Sequence, residues 1–171
     1  MTSDQAEFLL TQVYLPQLEN ERKTTRRVIE AIPQDQSGYR PDPTSKTALE
    51  LAWHLASSEC FFLNAVAAGA FDRGGPMPEN IKTPGDILKW YDENSAKATE
   101  AVRRLKGDAL SKNIEFAGIF NFPAVVYLGF QSNHSIHHRG QLSTYLRPMG
   151  GKVPGIYGPS ADEPMQVPAK A

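Results

Sequence analysis

The sequence predicts an all-α protein, a four-helix bundle with an irregular C-terminal tail. Four long segments carry apolar side chains at helical spacing, and clusters of Pro and Gly separate them. The connections are short enough for successive helices to pack side by side. The 171 residues, 40% of them apolar, suffice for one hydrophobic core. We therefore expect a single domain over residues 1–171.

The first helix is expected from about Ser3 to Ile32, with polar residues at its start as caps and Pro33 after its end. Pro16 interrupts this segment. It either kinks the helix or marks the first turn of a second, longer piece, because proline lacks the backbone N–H and its ring clashes with the preceding turn. A loop should follow over residues 34–45, where Ser, Gly and Pro disfavour helix.

The second helix should begin at Ser45 or Thr47. Thr47 and Glu50 have the spacing of a capping box, in which each side chain accepts a hydrogen bond from the other residue's backbone N–H. The helix should end near Ala68, because Gly69 offers the left-handed backbone conformation that commonly closes a helix. A loop rich in Gly and Pro then fills residues 69–82.

The third helix has clear boundaries in the sequence. Thr83 is its expected cap and Pro84 its first helical residue, where the missing N–H costs nothing. Its end is expected near Leu105–Lys106, because Gly107 follows.

The next segment has two interpretations. In residues 108–120, Ile114–Phe116 forms a short strand, or the whole segment is a coil that covers one end of the bundle. The fourth helix should begin around Asn121, with Pro123 in its first turn, and end at Arg147, before another group of Pro and Gly.

The tail, residues 148–171, contains too much Gly and Pro for a long helix. Val153, Ile156 and Tyr157 are expected to pack it across the bundle surface. From Asp162 onward the chain should be frayed.

Three of the four histidines lie close together in the fourth helix. His134 and His138 would share one face, with Cβ atoms about 5–6 Å apart, and two imidazoles held this way can bind one metal ion. We expect His54, from the second helix, to be the third ligand. His137 competes with His138, since a spacing of three residues also brings imidazoles together. The alternatives are a coincidental pair on a solvated face and a His54 satisfied by one internal hydrogen bond.

Three neutral imidazoles leave a coordination position free, which is typical of catalytic zinc. Such an ion lowers the pKa of a bound water to near 7 or keeps a substrate thiol deprotonated. The faces around His54 and His138 are polar and small where a packed core would have Leu or Ile. This pattern indicates a cavity instead of a packed seam.

Other side chains have competing interpretations. Glu50, one turn before His54, is a general base, a hydrogen-bond acceptor for an imidazole N–H, or only a cap residue. Arg139 lies beside the histidine face, as an exposed ion pair or as an anchor for a substrate carboxylate. Glu59, about 140° around the helix from His54, is expected at the surface. Cys60 is expected to be a small buried residue.

Composition disfavours several classes of function. The formal net charge is -1 and basic residues form no long run, so no nucleic-acid partner is expected. The first residues lack the basic and apolar regions of a signal peptide, and no apolar run has the roughly 20 residues needed to span a bilayer. Cys60 is the one cysteine, so no internal disulfide can form. We expect a cytoplasmic protein with no membrane partner.

Several short motifs occur together along the chain: Tyr39-Arg40-Pro41; Leu51-Ala52-Trp53-His54-Leu55 followed by Glu59; His134-x-x-His137-His138-Arg139-Gly140-Gln141; and Tyr145-Leu146-Arg147, Gly150 and Val153-Pro154. With these motifs, from about residue 8 to about residue 158, the chain resembles the DinB superfamily of damage-inducible-type proteins, also called DinB/YfiT-like proteins. The resemblance implies an up-down-down-up four-helix bundle, usually a homodimer.

The resemblance also implies a divalent metal, often zinc or nickel, bound by His54, His134 and His138. It favours His138 over His137, which is then expected to form hydrogen bonds or to pack at the bundle or dimer surface. The expected pocket wall comprises Ser58, Gln141 and Tyr145.

Characterised members of the superfamily include S-transferases that use bacillithiol, mycothiol or glutathione, a mycothiol-dependent maleylpyruvate isomerase, and metal-dependent hydrolases. The resemblance therefore implies a metal-dependent enzyme for a small-molecule substrate, a thiol-dependent S-transferase or a hydrolase. In a transferase, the metal would bind a low-molecular-weight thiol as thiolate. The alternative is a non-catalytic dimeric metal-binding bundle of stress-response type. Glu50 and Arg139 are the candidates for catalytic residues.

Overall fold

Long helices dominate the structure, a computed structural model that describes residues 1–165. The described elements are α1 (Ser3–Phe8), a π-helical segment (Leu9–Tyr14), α2 (Leu15–Glu30), a 3-10 turn (Gln34–Gln36), α3 (Ala48–Ala68), α4 (Pro84–Arg103), α5 (Gly107–Ser111), β1 (Asn113–Phe116), β2 (Phe120–Pro123) and α6 (Val126–Leu146). The expectation of a mostly helical chain is confirmed, with one β-hairpin added.

The predicted helix starts agree with the structure where a cap specifies them. At the start of α3, the Thr47 hydroxyl accepts a hydrogen bond from the Glu50 N–H at 3.2 Å, and the Glu50 carboxylate accepts one from the Thr47 N–H at 2.7 Å. Thr83 and Asp86 form the same capping box for α4. Gly69 closes α3 with a φ of 71°. Pro16 lies in the first turn of α2, directly after the π-helical segment, so it marks the second piece of the first helix.

The expected end of the third helix was wrong. α4 ends at Arg103, and Gly107 begins the short helix α5 instead of closing α4. Gly107 is needed at this point because a Cβ atom there would lie 2.3 Å from the backbone oxygen of Ser3. Its N–H donates to the Glu7 carboxylate at 2.7 Å. A close approach between α1 and α5 therefore accounts for this glycine.

The expected start of the fourth helix was also wrong. β1 and β2 form an antiparallel hairpin, with Ile114 opposite Phe122, and Ala117 and Gly118 turn the chain with positive φ angles. The strand interpretation of Ile114–Phe116 is therefore correct. Pro123 ends β2 instead of lying in a first helical turn, and α6 begins only at Val126.

The central helix is α3, which packs against α4 on one side and α6 on the other, while α2 contacts both α4 and α6. Buried apolar side chains form two clusters, one at each end of the helices. Leu51, Leu55 and Leu142 belong to the first cluster, and Leu10 and Leu110 to the second. The packing of α3 beside α6 places the predicted ligand helices next to each other.

The tail packs on the first cluster through Val153 and Ile156, as expected. Tyr157 does not join this cluster: it is 67% exposed, and its hydroxyl contacts Arg139 and Glu21. The prediction that the chain is frayed from Asp162 onward was wrong for Asp162 and Glu163. The Asp162 carboxylate accepts hydrogen bonds from the Val153 N–H at 2.9 Å and from Arg147, and Glu163 accepts one from the Gly155 N–H at 2.8 Å. Residues 166–171, also predicted to be frayed, lie outside the described residues. Within residues 1–165, no helix combines the length and apolar character needed to cross a membrane.

Candidate metal centre

His54 on α3 and His134 and His138 on α6 converge between the two helices. Each residue can offer one ring nitrogen to a common point, and these nitrogens all lie within 4.8 Å of one another. The Nε2 atoms of His54 and His138 are 3.2 Å apart. The ring centroids of His134 and His138 are 4.4 Å apart, as expected for neighbours one helical turn from each other.

His137 does not join this group. Its side chain is exposed, and its ring contacts that of His138 at a centroid distance of 4.8 Å. The structure thus groups His138 with the other two histidines, as the resemblance implied. Spacing along the helix had left the choice between His137 and His138 open.

Hydrogen bonds orient two of the three imidazoles. The Nδ1 atom of His138 lies 3.0 Å from Gln141 Oε1; a proton on Nδ1 donates to that oxygen and leaves Nε2 with a lone pair. The Ser58 hydroxyl lies 3.4 Å from His54 Nδ1, so His54 also turns Nε2 toward the shared point. The Nδ1 atom of His134 is buried and has no hydrogen-bond partner among the described residues.

Burial keeps the three imidazoles neutral. Burial, with a smaller contribution from the charge of His138, lowers the pKa of His54 to about 4 and that of His134 to about 4. Burial also lowers the pKa of His138, against its hydrogen bond to Gln141, which raises it. A neutral imidazole has the free lone pair that a metal ion requires.

The residues fit a divalent metal ion. Zinc binds imidazole nitrogens at about 2.0–2.1 Å, which places neighbouring nitrogens of a tetrahedral site about 3.3–3.4 Å apart. The separation of 3.2 Å between His54 and His138 is close to this value. The unpartnered nitrogen of His134 fits the same role, because a buried polar atom is normally paired.

Two adjoining cavities open beside His54. One, of about 490 Å³, includes Ser58, Phe61 and Arg73 in its lining. The other, of about 540 Å³, includes Arg40, Lys46 and Glu50. His54, Ser57, Gly75 and Pro76 line both. A small molecule in either cavity would therefore reach His54.

The expected wall residues have different positions. Ser58 lines the first cavity, whereas Gln141 holds His138 and lines neither cavity. Tyr145 also lines neither; it is buried in the first apolar cluster, with its ring 5.8 Å from that of Tyr39. The structure therefore brings Ser58 and Gln141, but not Tyr145, to the histidines or the cavities.

The two candidate catalytic residues lie in different surroundings. Glu50 lines the second cavity, but its carboxylate accepts the Thr47 N–H, and this bond lowers its pKa. Its observed contacts are those of a cap residue. Arg139 is 1% exposed and points away from both cavities toward α2. Its guanidinium group donates to the Glu21 backbone oxygen at 3.1 Å and pairs with the Glu21 carboxylate.

Arg139 is thus neither the exposed ion pair nor the anchor at a pocket mouth that the sequence suggested. Its guanidinium group also contacts the hydroxyls of Thr25 and Tyr157, which joins α6 to α2 and to the tail. The burial of Arg139 could not be predicted without knowing its partner. A buried arginine requires a carboxylate, and here the carboxylate comes from another element. Nothing in the helical period of α6 identifies Glu21 as that partner.

The expectation that Glu59 lies at the surface was wrong. Its side chain is 1% exposed, and its two oxygens accept hydrogen bonds from Arg22 at 2.9 and 2.8 Å and from the Tyr91 hydroxyl at 2.6 Å. The physical reason is the central position of α3: on the side away from the histidine, Arg22 of α2 and Tyr91 of α4 reach its Glu59 side chain. Cys60 is buried as expected, and burial raises the pKa of its thiol to about 12.

Comparison with known proteins identifies the family of this chain. The model of the DinB family matches residues 4–168. The chain belongs to the DinB family. The uncharacterized protein YjoA of Bacillus subtilis strain 168 is 30% identical over 132 residues, which cover 75% of this chain and 84% of YjoA. The uncharacterized protein YrdA of the same strain is 26% identical over 155 residues, which cover 88% of this chain and 89% of YrdA.

Two solved DinB-like structures share the fold. The crystal structure of YjoA from Bacillus subtilis superposes with a TM-score of 0.68 at 24% identity and covers 81% of this chain and 93% of its own. A DinB-like protein from Bacillus cereus ATCC 10987 superposes with a TM-score of 0.73 at 21% identity and covers 86% of this chain and 97% of its own. At these identities the likeness concerns the fold alone.

Proposed function

We propose that this DinB-family chain is a metal-dependent enzyme whose His54, His134 and His138 bind a divalent ion, zinc or nickel. The observation that carries the proposal is the convergence of three neutral imidazoles beside two cavities large enough for a small-molecule substrate. Metal and cofactor sites of helical bundles are commonly built in this way, from side chains on facing helices.

A bound ion would supply a positive charge that stabilises a thiolate or lowers the pKa of a water. The chain's own residues prepare the site for it. Gln141 fixes the orientation of His138, and Ser58 is positioned to do the same for His54. Three protein ligands would leave at least one coordination position of such an ion free for a substrate or a water.

Of the two activities implied by the resemblance, the contacts favour the thiol-dependent S-transferase over the hydrolase. Activating a water is helped by a general base within hydrogen-bond reach. Glu50 is the carboxylate that lines the cavities in the described residues, and it is engaged by Thr47. Stabilising the thiolate of a low-molecular-weight cofactor requires a positive charge but no base that stays in contact with the substrate.

Three further features belong to the proposal. The packing of α3 against α4 and α6 and of α2 against both supports the up-down-down-up four-helix bundle. The match to the family over residues 4–168 supports one domain over residues 1–171. We also propose the homodimer that is usual in the superfamily.

Metal analysis of the purified protein tests the proposal. Wild type should bind about one zinc or nickel ion per chain, and His54→Ala and His134→Ala should lose most of it, because two imidazoles alone bind a divalent ion weakly. His137→Ala is the matched control and should retain the metal, since its ring is exposed and outside the group. A metal-free wild type, or equal metal in His54→Ala, would refute the centre.

Activity then separates the enzyme from the non-catalytic alternative. The loaded protein should transfer a thiol to a panel of electrophiles, and His54→Ala should not. If the metal raises the melting temperature while thiol transfer and hydrolysis are both absent, the dimeric metal-binding bundle is the better description.

A further inference from the structure

Arg40 and Arg73 differ from the other arginines of the chain. Every other arginine pairs with a carboxylate, either in the interior, as Arg22 and Arg139 do, or at the surface, as Arg26 and Arg104 do. Within residues 1–165, no carboxylate forms an ion pair with Arg40 or Arg73. Both of these arginines line the cavities beside His54.

The two arginines line different cavities, which share His54. Arg73 lines the first cavity, next to Gly74 and Gly75, and Arg40 lines the second together with Lys46. The one carboxylate in either lining is Glu50, which accepts the Thr47 N–H at 2.7 Å and forms no ion pair among the described residues, although the charges of Arg40 and Lys46 help to lower its pKa. The cavity walls therefore carry more positive than negative charge in a chain whose net charge is -1.

The carboxylates nearest in sequence keep their negative charge but form no ion pair with these arginines within residues 1–165. Asp72, which precedes Arg73, accepts the Gly74 N–H at 2.8 Å and so closes its own turn. Asp42, two residues after Arg40, accepts the Thr44 N–H at 2.9 Å and the Thr44 hydroxyl at 2.6 Å. Hydrogen bonds from the Ser45 and Thr44 hydroxyls lower the pKa of Asp42 to about 2. Each carboxylate is held by its own loop.

The positive charge reaches the edge of the histidine group, because Arg40 and Lys46 line the same cavity as His54. Like charges around a cavity attract anions and repel cations. Guanidinium groups bind carboxylate and phosphate oxygens through two parallel N–H donors.

We propose that the cavities select an anionic small molecule, whose carboxylate or phosphate oxygens pair with Arg73 and Arg40 while another group of the same molecule reaches the histidine centre. Arg73 and Arg40 are then specificity-determining residues, one in each cavity beside His54. The contact with the histidine centre rests on the proposed metal-dependent function, but the anion site does not. In a thiol-dependent transferase, such a molecule is a thiol or an electrophile that carries an acidic group.

The anion site is tested first on the metal-free protein. Succinate and inorganic phosphate are titrated separately into wild type while the amide signals of Gly74, Gly75 and Lys46 are followed by NMR. At about 20 mM salt we expect saturable shifts with one or both anions, and glycerol should cause none. Arg73→Ala and Arg40→Ala should each weaken binding about three- to tenfold, the range expected for an exposed charge-assisted contact.

Arg104→Ala is the matched control. Arg104 is exposed, pairs with Glu100 and lines neither cavity, so binding should not change. Binding of the anion should weaken strongly at 0.5 M NaCl, because salt screens exposed charges. Shifts with neither anion, or equal binding by Arg73→Ala, Arg40→Ala and wild type, would overturn the proposal. The anion that binds identifies the acidic group.

A second titration tests the link to the metal. Mercaptosuccinate, a thiol with two carboxylates, is added to cobalt-loaded protein, and 1-thioglycerol serves as the neutral thiol. The sulfur-to-cobalt absorption band should appear at a roughly tenfold lower concentration of mercaptosuccinate, and Arg73→Ala should reduce this preference without affecting 1-thioglycerol. Equal affinity for both thiols would overturn the proposal that the cavities select anions. A protein that binds no cobalt would overturn the proposed function instead. The NMR titration would then decide alone whether the anion site exists.

Discussion

Two groups of polar side chains lie in the interior of this protein, and they differ in how many of their polar atoms have hydrogen-bond partners. On one side of α3, Glu59 accepts hydrogen bonds on both oxygens, from Arg22 and from Tyr91. On another side, toward α6, the Nε2 atoms of His54 and His138 face each other at 3.2 Å. The first group is complete within the chain, and the second has ring nitrogens directed at one point.

This difference separates a structural cluster from a ligand site. Buried polar groups that satisfy one another specify the packing of helices, whereas converging unpaired lone pairs gain most from an added ion. An unpaired atom alone is not sufficient, since the buried hydroxyls of Ser95 and Tyr145 also lack partners among residues 1–165. His134 differs from them because two other potential ligand atoms lie within 4.8 Å.

The largest loss of stability is expected when the group around Glu59 is broken. Glu59→Ala leaves the Arg22 guanidinium group, which is 16% exposed, without its carboxylate. Removal of one partner from a buried ion pair costs about 3–5 kcal/mol, so the free energy of unfolding should decrease by about that amount. Urea denaturation of the metal-free protein measures it. Metal content per folded molecule should stay unchanged, because Glu59 does not contact the histidines.

Arg26→Ala is the control for this substitution. Its pair with Asp92 is exposed, at 41% and 47% of the two side chains, so its loss should cost no more than about 1 kcal/mol. If Glu59→Ala costs as little as Arg26→Ala, the buried cluster is not what stabilises the packing of α2, α3 and α4. If Glu59→Ala lowers metal content per folded molecule, the two polar groups are coupled and the contrast fails.

The same contrast explains how much the sequence could predict. The capping boxes of α3 and α4 are local, since residues three apart satisfy each other, and both starts were predicted correctly. The pair His134 and His138 is also local, because the helix alone places them on one face. To predict His54 as the third member of the group, we had to assume only that the polar faces of the two helices pack against each other.

The parts that were wrong depend on contacts between distant residues. Glu59 and Arg139 look like surface charges within their own helices, and their partners Arg22 and Glu21 are more than 30 and more than 110 positions away, respectively, along the chain. Gly107 looks like a helix end until the approach of Ser3 is known. The second strand of the hairpin was missed because β2 is short and ends in Pro123, which by itself fits the first turn of a helix equally well.

An effect of intermediate size, on metal affinity, is expected at Gln141, which contacts the histidine group. Gln141→Leu removes the acceptor that holds Nδ1–H of His138. Loss of such a supporting hydrogen bond typically weakens metal affinity 10- to 100-fold, or about 1.4–2.7 kcal/mol. Competition with a chelator of known zinc affinity measures the change. The unfolding free energy of the metal-free protein should change much less, because Gln141 is only half-buried.

Gln141→Glu provides the matched comparison, since it keeps an oxygen acceptor at the same length. It should retain most of the affinity. Equal weakening by Gln141→Leu and Gln141→Glu would show that packing around residue 141, not the hydrogen bond to His138, determines metal binding. Gln141 would then be a structural residue, like the members of the group around Glu59.

The last effect expected is a pH dependence of stability that belongs to the histidine group in the metal-free protein. Burial lowers the pKa of His54 to about 4 and that of His134 to about 4, from an ordinary value of 6.5 that the unfolded chain regains. Between pH 6.5 and pH 4, the unfolded state therefore binds more protons than the folded state. The free energy of unfolding should decrease as the pH falls through this window and gain nothing from these groups above it.

The contribution of one histidine is isolated by comparing wild type with His54→Gln, which removes the titrating ring and keeps a polar side chain. Urea denaturation at pH 7.5, 5.5 and 4.5 should show a smaller loss of stability for His54→Gln than for wild type. His137→Gln should follow wild type, because that ring is exposed and outside the group. Parallel curves for wild type and His54→Gln would mean that His54 becomes protonated in the folded state as easily as in the unfolded chain. The imidazole would then be solvated instead of held neutral beside His134 and His138, and the two polar groups of the interior would differ less than their hydrogen bonds indicate.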